Sequence, residues 1–372
     1  MVRRWSRPGQ ITLDKRITRA RIRHLADVAQ KLRHVARLQQ PTSGLCVNST
    51  SALLPPPAPQ WRATQSAGVD QLAQSISGWH QVYDQTSPGQ FQGALTELML
   101  GPVQLFVEMS SHALVQSCKT WPGASWFGIP VRHQPGVRVD GAPVAPDMLA
   151  LHTGQGDFQL TTPDDFGFLG LVIQTDGLRQ YAAREHSDLP DDRLAQRVLQ
   201  VPDAQLHGFR RWLCRLLADQ PQRFSSLTSQ AQQLLLDEAV SGLVQLLTQG
   251  HNGPRENVSA QHARRTLRRV RDYLQAHDDR CVTVHELCEQ LGASPRALQD
   301  CFRKYVGLSP KTYLKALKLN EARRELRRSD SALASVSDVA MRYGFWHLSQ
   351  FAADYRWLFG ELPSETLRKR VV

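Results

Sequence analysis

Near its C-terminus the chain repeats one piece of helix punctuation, and the repeat narrows the fold more than any other part of the sequence. Thr283 and Glu286 have the spacing of a capping box, in which each side chain satisfies a free amide at a helix start. Val284, Leu287, Cys288 and Leu291 then line one helical face. Gly292 ends the helix, because glycine takes the left-handed exit without steric cost. Ser294-Pro295 opens a second helix with a cap and a first-turn proline. There Leu298, Cys301, Phe302 and Tyr305 recur at i, i+3, i+4, i+7. Ser309-Pro310 opens a longer helix over 310–327, with Tyr313, Leu314, Leu317, Ala322 and Leu326 internal, and the pattern then returns. Ser335 and Asp338 cap a short helix containing Val336, Val339 and Ala340, Gly344-Phe345 breaks it, and a helix follows from about His347 to Leu358. Leu348, Phe351, Ala352 and Tyr355 form its inward face.

The outer faces carry the chemistry. Arg296, Gln299, Asp300, Arg303 and Lys304 stand on the first, and His347, Ser349, Gln350 and Arg356 on the second. Arginine and glutamine can read base edges in a major groove, and lysine can hold phosphate. The two outer helices open at positions 294 and 347, and the helix between them spans about 27 Å at 1.5 Å per residue. Such a connector suits two successive major grooves, roughly 34 Å apart. We expect Arg296, Gln299 and Arg303 in one groove, His347, Ser349 and Gln350 in the next, and Lys304 and Arg356 on phosphates. Charge agrees with a polyanionic partner. Residues 260–372 hold 21 basic and 13 acidic groups, residues 41–259 hold 13 and 19, and residues 1–40 hold 11 and 2.

At these positions the chain resembles the AraC/XylS family of transcriptional regulators. The likeness lies in Val339-Ala340-x-x-x-Gly344-Phe345, Gln350-Phe351, Tyr355-Arg356, Phe359-Gly360 and Pro363-Ser364, and in Lys318-Leu319-x-x-Ala322-Arg323-x-x-Leu326. It implies a tandem helix-turn-helix domain over 260–372 that binds double-stranded DNA. The chain departs from the family pattern at Asp300 and Ala353, where many members carry a long polar or basic contact residue.

Upstream the texture changes. Short apolar runs such as Leu95–Leu100, Val103–Val107, Trp126–Ile129 and Phe168–Ile173, separated by Gly, Pro and Asp, predict strands of a sandwich or barrel over 66–176. Residues 177–250 read as helical, with Phe209, Trp212, Leu213, Leu216 and Leu217 on one face. Gln230 to Leu247 is apolar enough to pack either on its own core or on a second copy of the chain. His251 to Ser259 reads as a linker. Residues 1–65, basic at first and then polyproline, read as a disordered extension or a DNA-contacting arm. The fold class expected is α+β: a cupin-like β-domain, a helical connector and an all-α DNA-binding domain.

Gly78–Gln85, Cys118–Pro130, Thr162–Phe166 and Gly344–Tyr355 resemble the branch of that family that activates ethanolamine-utilisation operons. This resemblance implies an effector, ethanolamine with adenosylcobalamin, bound in the β-domain. Trp79, Trp121, Trp126 and Phe127 would stack on a ligand or clasp an amine, with Asp164 as counter-ion; core packing and a solvated turn are the alternatives. The partners expected are DNA, RNA polymerase, a small-molecule effector and a second copy, in a bacterial cytoplasm.

Other chemistry finds less footing. His80, His112, His133 and His152 are the candidates for a metal-dependent cupin enzyme fused to the DNA-binding module, but no His-x-His pair occurs. Cys46, Cys118, Cys214, Cys281, Cys288 and Cys301 form no zinc spacing and read as reduced thiols, which also argues against a cysteine-based DNA-repair protein. No phosphate-cradling glycine loop or hydrolase serine elbow is present, and no run of about 20 apolar residues suits a membrane span. We expect no enzyme.

Overall fold

A computed structural model describes residues 59–368, apart from 133, 155, 188, 219–223, 225, 253–257, 278–280 and 330–334. The chain enters at β1 (Gln60–Ser66) and helix α1 (Val69–Ser75). It continues through β2 (His80–Gln85), β3 (Gly93–Leu100), β4 (Val103–Ser110), β5 (Leu114–Lys119) and β6 (Ala124–Pro130). Short strands β7 (Arg138–Val139) and β8 (Ala142–Pro143) precede β9 (Met148–His152), β10 (Phe158–Thr162) and β11 (Phe166–Gln174). β1 begins inside the stretch read from sequence as extension, and it pairs along its whole length with β3. Residues 1–58, including Cys46, lie outside the described residues.

After β11 come α2 (Thr175–Arg184), α3 (Asp191–Leu194), β12 (Val198–Gln200), α4 (Asp203–Ala218), α5 (Ser229–Gln249) and β13 (His251–Asn252). The strands form two antiparallel sheets, ordered β1-β3-β4-β11-β6-β9-β12-β13 and β2-β5-β10-β7-β8. β11, Phe-Gly-Phe-Leu-Gly-Leu-Val-Ile-Gln, is buried except at its last residue. Alternation along a strand sends side chains to opposite faces, so both faces of the large sheet need cover. Phe166, Phe168 and Val172 meet the small sheet, whereas Leu169, Leu171 and Ile173 meet helices α2, α4 and α5. Gly170 makes room between them, since a Cβ there would run into the Phe106 ring. Val240, Leu243, Val244, Leu246 and Leu247 of α5 are buried in this same core. The apolar face of α5 is thus used within its own chain.

The C-terminal region is all helical: α6 (Val258–Ala276), α7 (Val284–Leu291), α8 (Pro295–Tyr305), α9 (Pro310–Arg328), α10 (Val336–Arg342), α11 (Leu348–Phe359) and α12 (Pro363–Arg368). It has two cores. One gathers Val270, Leu287, Leu298, Phe302 and Leu314, and the other Ala322, Leu326, Val339, Phe351, Tyr355 and Phe359. Helix α9 contributes to both, so the molecule is α+β with a β-sheet domain followed by a helical pair of units.

Candidate nucleic-acid interface

In the first unit, Thr283 Oγ1 accepts from the Glu286 amide at 3.2 Å and Glu286 accepts from the Thr283 amide at 3.4 Å, which closes the capping box. Gly292 leaves α7 at φ 61°, in the left-handed region. Ser294 Oγ accepts from the Ala297 amide at 3.2 Å and opens α8. Leu298, Phe302 and Tyr305 turn inward, and Arg296, Gln299 and Arg303 are exposed on one stripe at i, i+3, i+7. Lys304 stands to one side of that stripe. It lines a crevice between α6 and α8 with Asp300, His262 and Thr266, and its ammonium lies 5.3 Å from the Tyr305 ring centre.

The second unit repeats the helix-break-helix arrangement with fewer side-chain caps. Ser335 Oγ accepts from the Asp338 amide at 3.1 Å, and Gly344 makes the break at φ 76°. His347 is the N-cap of α11, yet its side chain makes no capping bond. His347, Ser349, Gln350 and Arg356 are all exposed. The Gln350 amide donates to Asp354 Oδ1 at 3.1 Å, and Asp354 also pairs with Lys315 of α9, so Gln350 is drawn along its own helix.

Among the described residues, three of the β-domain's contacts with this region fall on helices α8, α9 and α11, none of them visible as a motif. Strand β2 is the edge of the small sheet. Asn320 of α9 completes it: the Gln85 amide donates to Asn320 Oδ1 at 3.1 Å, and Asn320 Nδ2 donates to the Gln85 carbonyl at 3.0 Å. A helix side chain thus stands in for the next strand. Arg324, one turn further on, donates to the Tyr83 carbonyl at 3.3 Å, Asp84 at 2.9 Å and Glu321 at 2.6 Å. Burial pushes the Asp84 carboxyl up and Arg324 opposes it, while burial alone would weaken the Arg324 charge that Asp84, Glu321 and Asp70 more than restore. The other two grips fall on the C-terminal carbonyls of the outer helices. Arg138 donates to the Lys304 carbonyl at 2.9 Å, and the Gln85 side chain and Gly89 amide donate to the Leu358 carbonyl at 2.8 and 3.0 Å. A cation or donor at a helix C-terminus meets the negative end of its dipole.

Of the residues proposed for an effector, Trp79, Trp121 and Trp126 share one cluster between the sheets, whereas Phe127 and Asp164 do not join them. Trp126 and Phe127 are both buried, but as strand neighbours they face opposite ways, Trp126 between the sheets and Phe127 toward the helices. Trp126 stacks on Phe158 at 5.0 Å, and half-buried Trp79 meets Phe158 at 6.0 Å while its indole donates to Gln104 at 2.8 Å. Trp121 packs at the rim of the same cluster. Asp164 is exposed at the far end of β11 from Trp126, whose partner Val172 lies about 20 Å along the strand from Phe166. Its carboxylate accepts from Ser87 and from the Ala113 amide at 2.8 Å. The structure gives Asp164 a turn-holding role, apart from the aromatic rings. What sequence reading missed inside the sandwich is Glu108, which accepts from the Tyr83 hydroxyl at 2.7 Å and the Gln116 amide at 2.8 Å.

His80, His112 and His152 do not gather, His133 lies outside the described residues, and among the described residues no three His, Cys, Asp or Glu side chains could hold a metal ion. Cys118 and Cys288 are buried, and Cys214, Cys281 and Cys301 are half-buried free thiols. Among the described residues no helix is long and apolar enough to cross a membrane.

Two capped helix pairs of this geometry define a helix-turn-helix region, and residues 287–369 match the family described as Helix-turn-helix domain. The chain is 34% identical over 165 residues to the XylDLEGF operon transcriptional activator of Pseudomonas putida, covering 44% of this chain and 50% of that protein. It is 40% identical over 97 residues to the "Probable thc operon regulatory protein" of Rhodococcus erythropolis, covering 26% of this chain and 29% of that one. The chain thus spans half or less of the length of these curated relatives. Among solved structures, the AraC-like transcriptional activator CuxR aligns with 71% of this chain and 95% of its own, at 11% identity and a TM-score of 0.38.

Proposed function

We propose that the protein is a sequence-specific double-stranded-DNA-binding transcriptional regulator of the AraC/XylS type, an activator governed by a small molecule. The observation that carries this reading is the pair of capped units, each with an exposed polar outer face, whose two cores share helix α9. Arg296, Gln299 and Arg303 face one major groove, and His347, Ser349 and Gln350 the next. Lys304 and Arg356 hold phosphates, and RNA polymerase and a second copy of the chain are partners in the cytoplasm. The grips of the β-domain on α8, α9 and α11 supply a route by which an effector biases the DNA-binding units, by no more than its differential affinity for the two states. The likeness of Gly78–Gln85 and Cys118–Pro130 to activators of ethanolamine-utilisation operons makes ethanolamine with adenosylcobalamin the first effector to try.

Selection of duplexes from a random-sequence library by the full-length protein, with and without those two compounds, tests the reading. We expect an enriched site. Gln299→Ala should reduce discrimination at one base pair by about 1–3 kcal/mol. Failure to enrich any sequence would overturn the reading, whereas enrichment that ignores both compounds would remove only the effector.

A further inference from the structure

Six large apolar side chains stand exposed among the described residues, and four of them, Met341, Trp346, Leu348 and Trp357, belong to the second helix-turn-helix unit. Trp346 is the most exposed, at 75%. Single surface apolars need no explanation, but Trp346 and Leu348 stand two residues apart at the start of α11, the end of a recognition helix that meets bases.

The fold itself makes no use of the Trp346 ring. Trp346 immediately precedes the N-cap His347, the position from which an apolar residue ordinarily packs against the fourth helical residue. That fourth residue is Phe351, and Phe345 covers it instead, with ring centres 5.0 Å apart. Phe345 is also the residue tied back to α10, through its amide to the Ala340 carbonyl at 2.9 Å. The turn therefore sends one aromatic ring inward and leaves the next in solvent.

On the same face, among the described residues, His347 and Ser349 are exposed polar side chains that no hydrogen bond engages. Ala353 is exposed at its middle and offers no hydrogen bond, and the Gln350 amide is engaged with Asp354. Recognition helices meet bases with their N-terminal residues, and here that end is led by an indole. The apolar mark in a major groove is the C5 methyl of thymine. Arg356, exposed on α11, supplies charge suited to a flanking phosphate.

We propose that Trp346 is a specificity-determining residue that packs on a thymine C5 methyl in the major groove; this rests on the DNA-binding reading above. The test uses a duplex enriched from a random library by the full-length protein, with each thymidine replaced in turn by deoxyuridine, which lacks only the methyl. At one or two positions the replacement should weaken wild-type binding about fourfold, the worth of one buried methyl group. Trp346→Ala should bind the parent duplex more weakly and be indifferent to deoxyuridine at those positions, and Trp346→Phe should restore part of the sensitivity. An identical deoxyuridine profile for wild type and Trp346→Ala would overturn the proposal. So would a Trp346→Ala protein that binds DNA normally but fails to support transcription by RNA polymerase, which would assign the ring to a protein partner. If no duplex is enriched at all, the DNA-binding reading falls first, and that outcome is distinct from either of these.

Discussion

Glu108 shows how much one buried group can shape the behaviour of the β-domain. Burial pushes its carboxyl up to about 7, against the Tyr83 hydroxyl and Gln116 amide, which pull it down. The folded protein therefore keeps this proton to about pH 7, whereas an exposed carboxyl releases it near 4.5. Stability from this group is full below pH 4.5 and is lost as pH rises through 7, a change worth roughly 3 kcal/mol. Glu108→Gln keeps the shape and removes the titration. Thermal unfolding from pH 4.5 to 8 should show a smaller loss of stability for the variant than for wild type, and parallel curves would mean that Glu108 does not titrate in the core.

At the scale of elements, the contact between α9 and the edge of β2 matters most. Asn320 and Gln85 are almost fully buried, at 1% and 0% exposure, so neither finds water if the other is lost. Asn320→Ala strips partners from both the amide and the carbonyl of Gln85, at about 1–3 kcal/mol for each unpaired group. Denaturant unfolding should register a loss of roughly 2–6 kcal/mol, and a loss below about 0.5 kcal/mol would mean that α9 is not held by this strand. This contact also marks the limit of what the sequence makes legible. Caps at Thr283, Ser294, Ser309 and Ser335, the glycine breaks and the inward faces of α7 to α10 are local, so they can be read from neighbouring residues, whereas on α11 Phe351 and Tyr355 turn inward but Leu348, expected with them, is exposed at the helix start. The strand runs in β3, β4, β6 and β11 were legible for the same reason. Asn320 and Arg324, one turn apart on α9, find their partners some 240 positions away in β2, and no local rule joins them. Trp126 and Phe127 illustrate the converse, because alternation along β6 sends to opposite faces two neighbours that composition groups together.

For the whole molecule, the notable arrangement is that β-domain donors meet the C-terminal carbonyl ends of both outer helices, Arg138 at α8 and Gln85 with Gly89 at α11. The N-terminal ends, where Arg296, Gln299, His347 and Ser349 stand exposed, are left outward. These contacts join the sandwich to both units and to the helix between them. The basic balance of residues 260–372 suits a duplex. If both units read one face of DNA together, guanine methylation interference on an enriched duplex with the full-length protein detects it most directly, because methylation at N7 blocks only major-groove contacts. Two clusters of interference about 10 base pairs apart on one face of the helix are expected. A single cluster, or none, would contradict such joint reading.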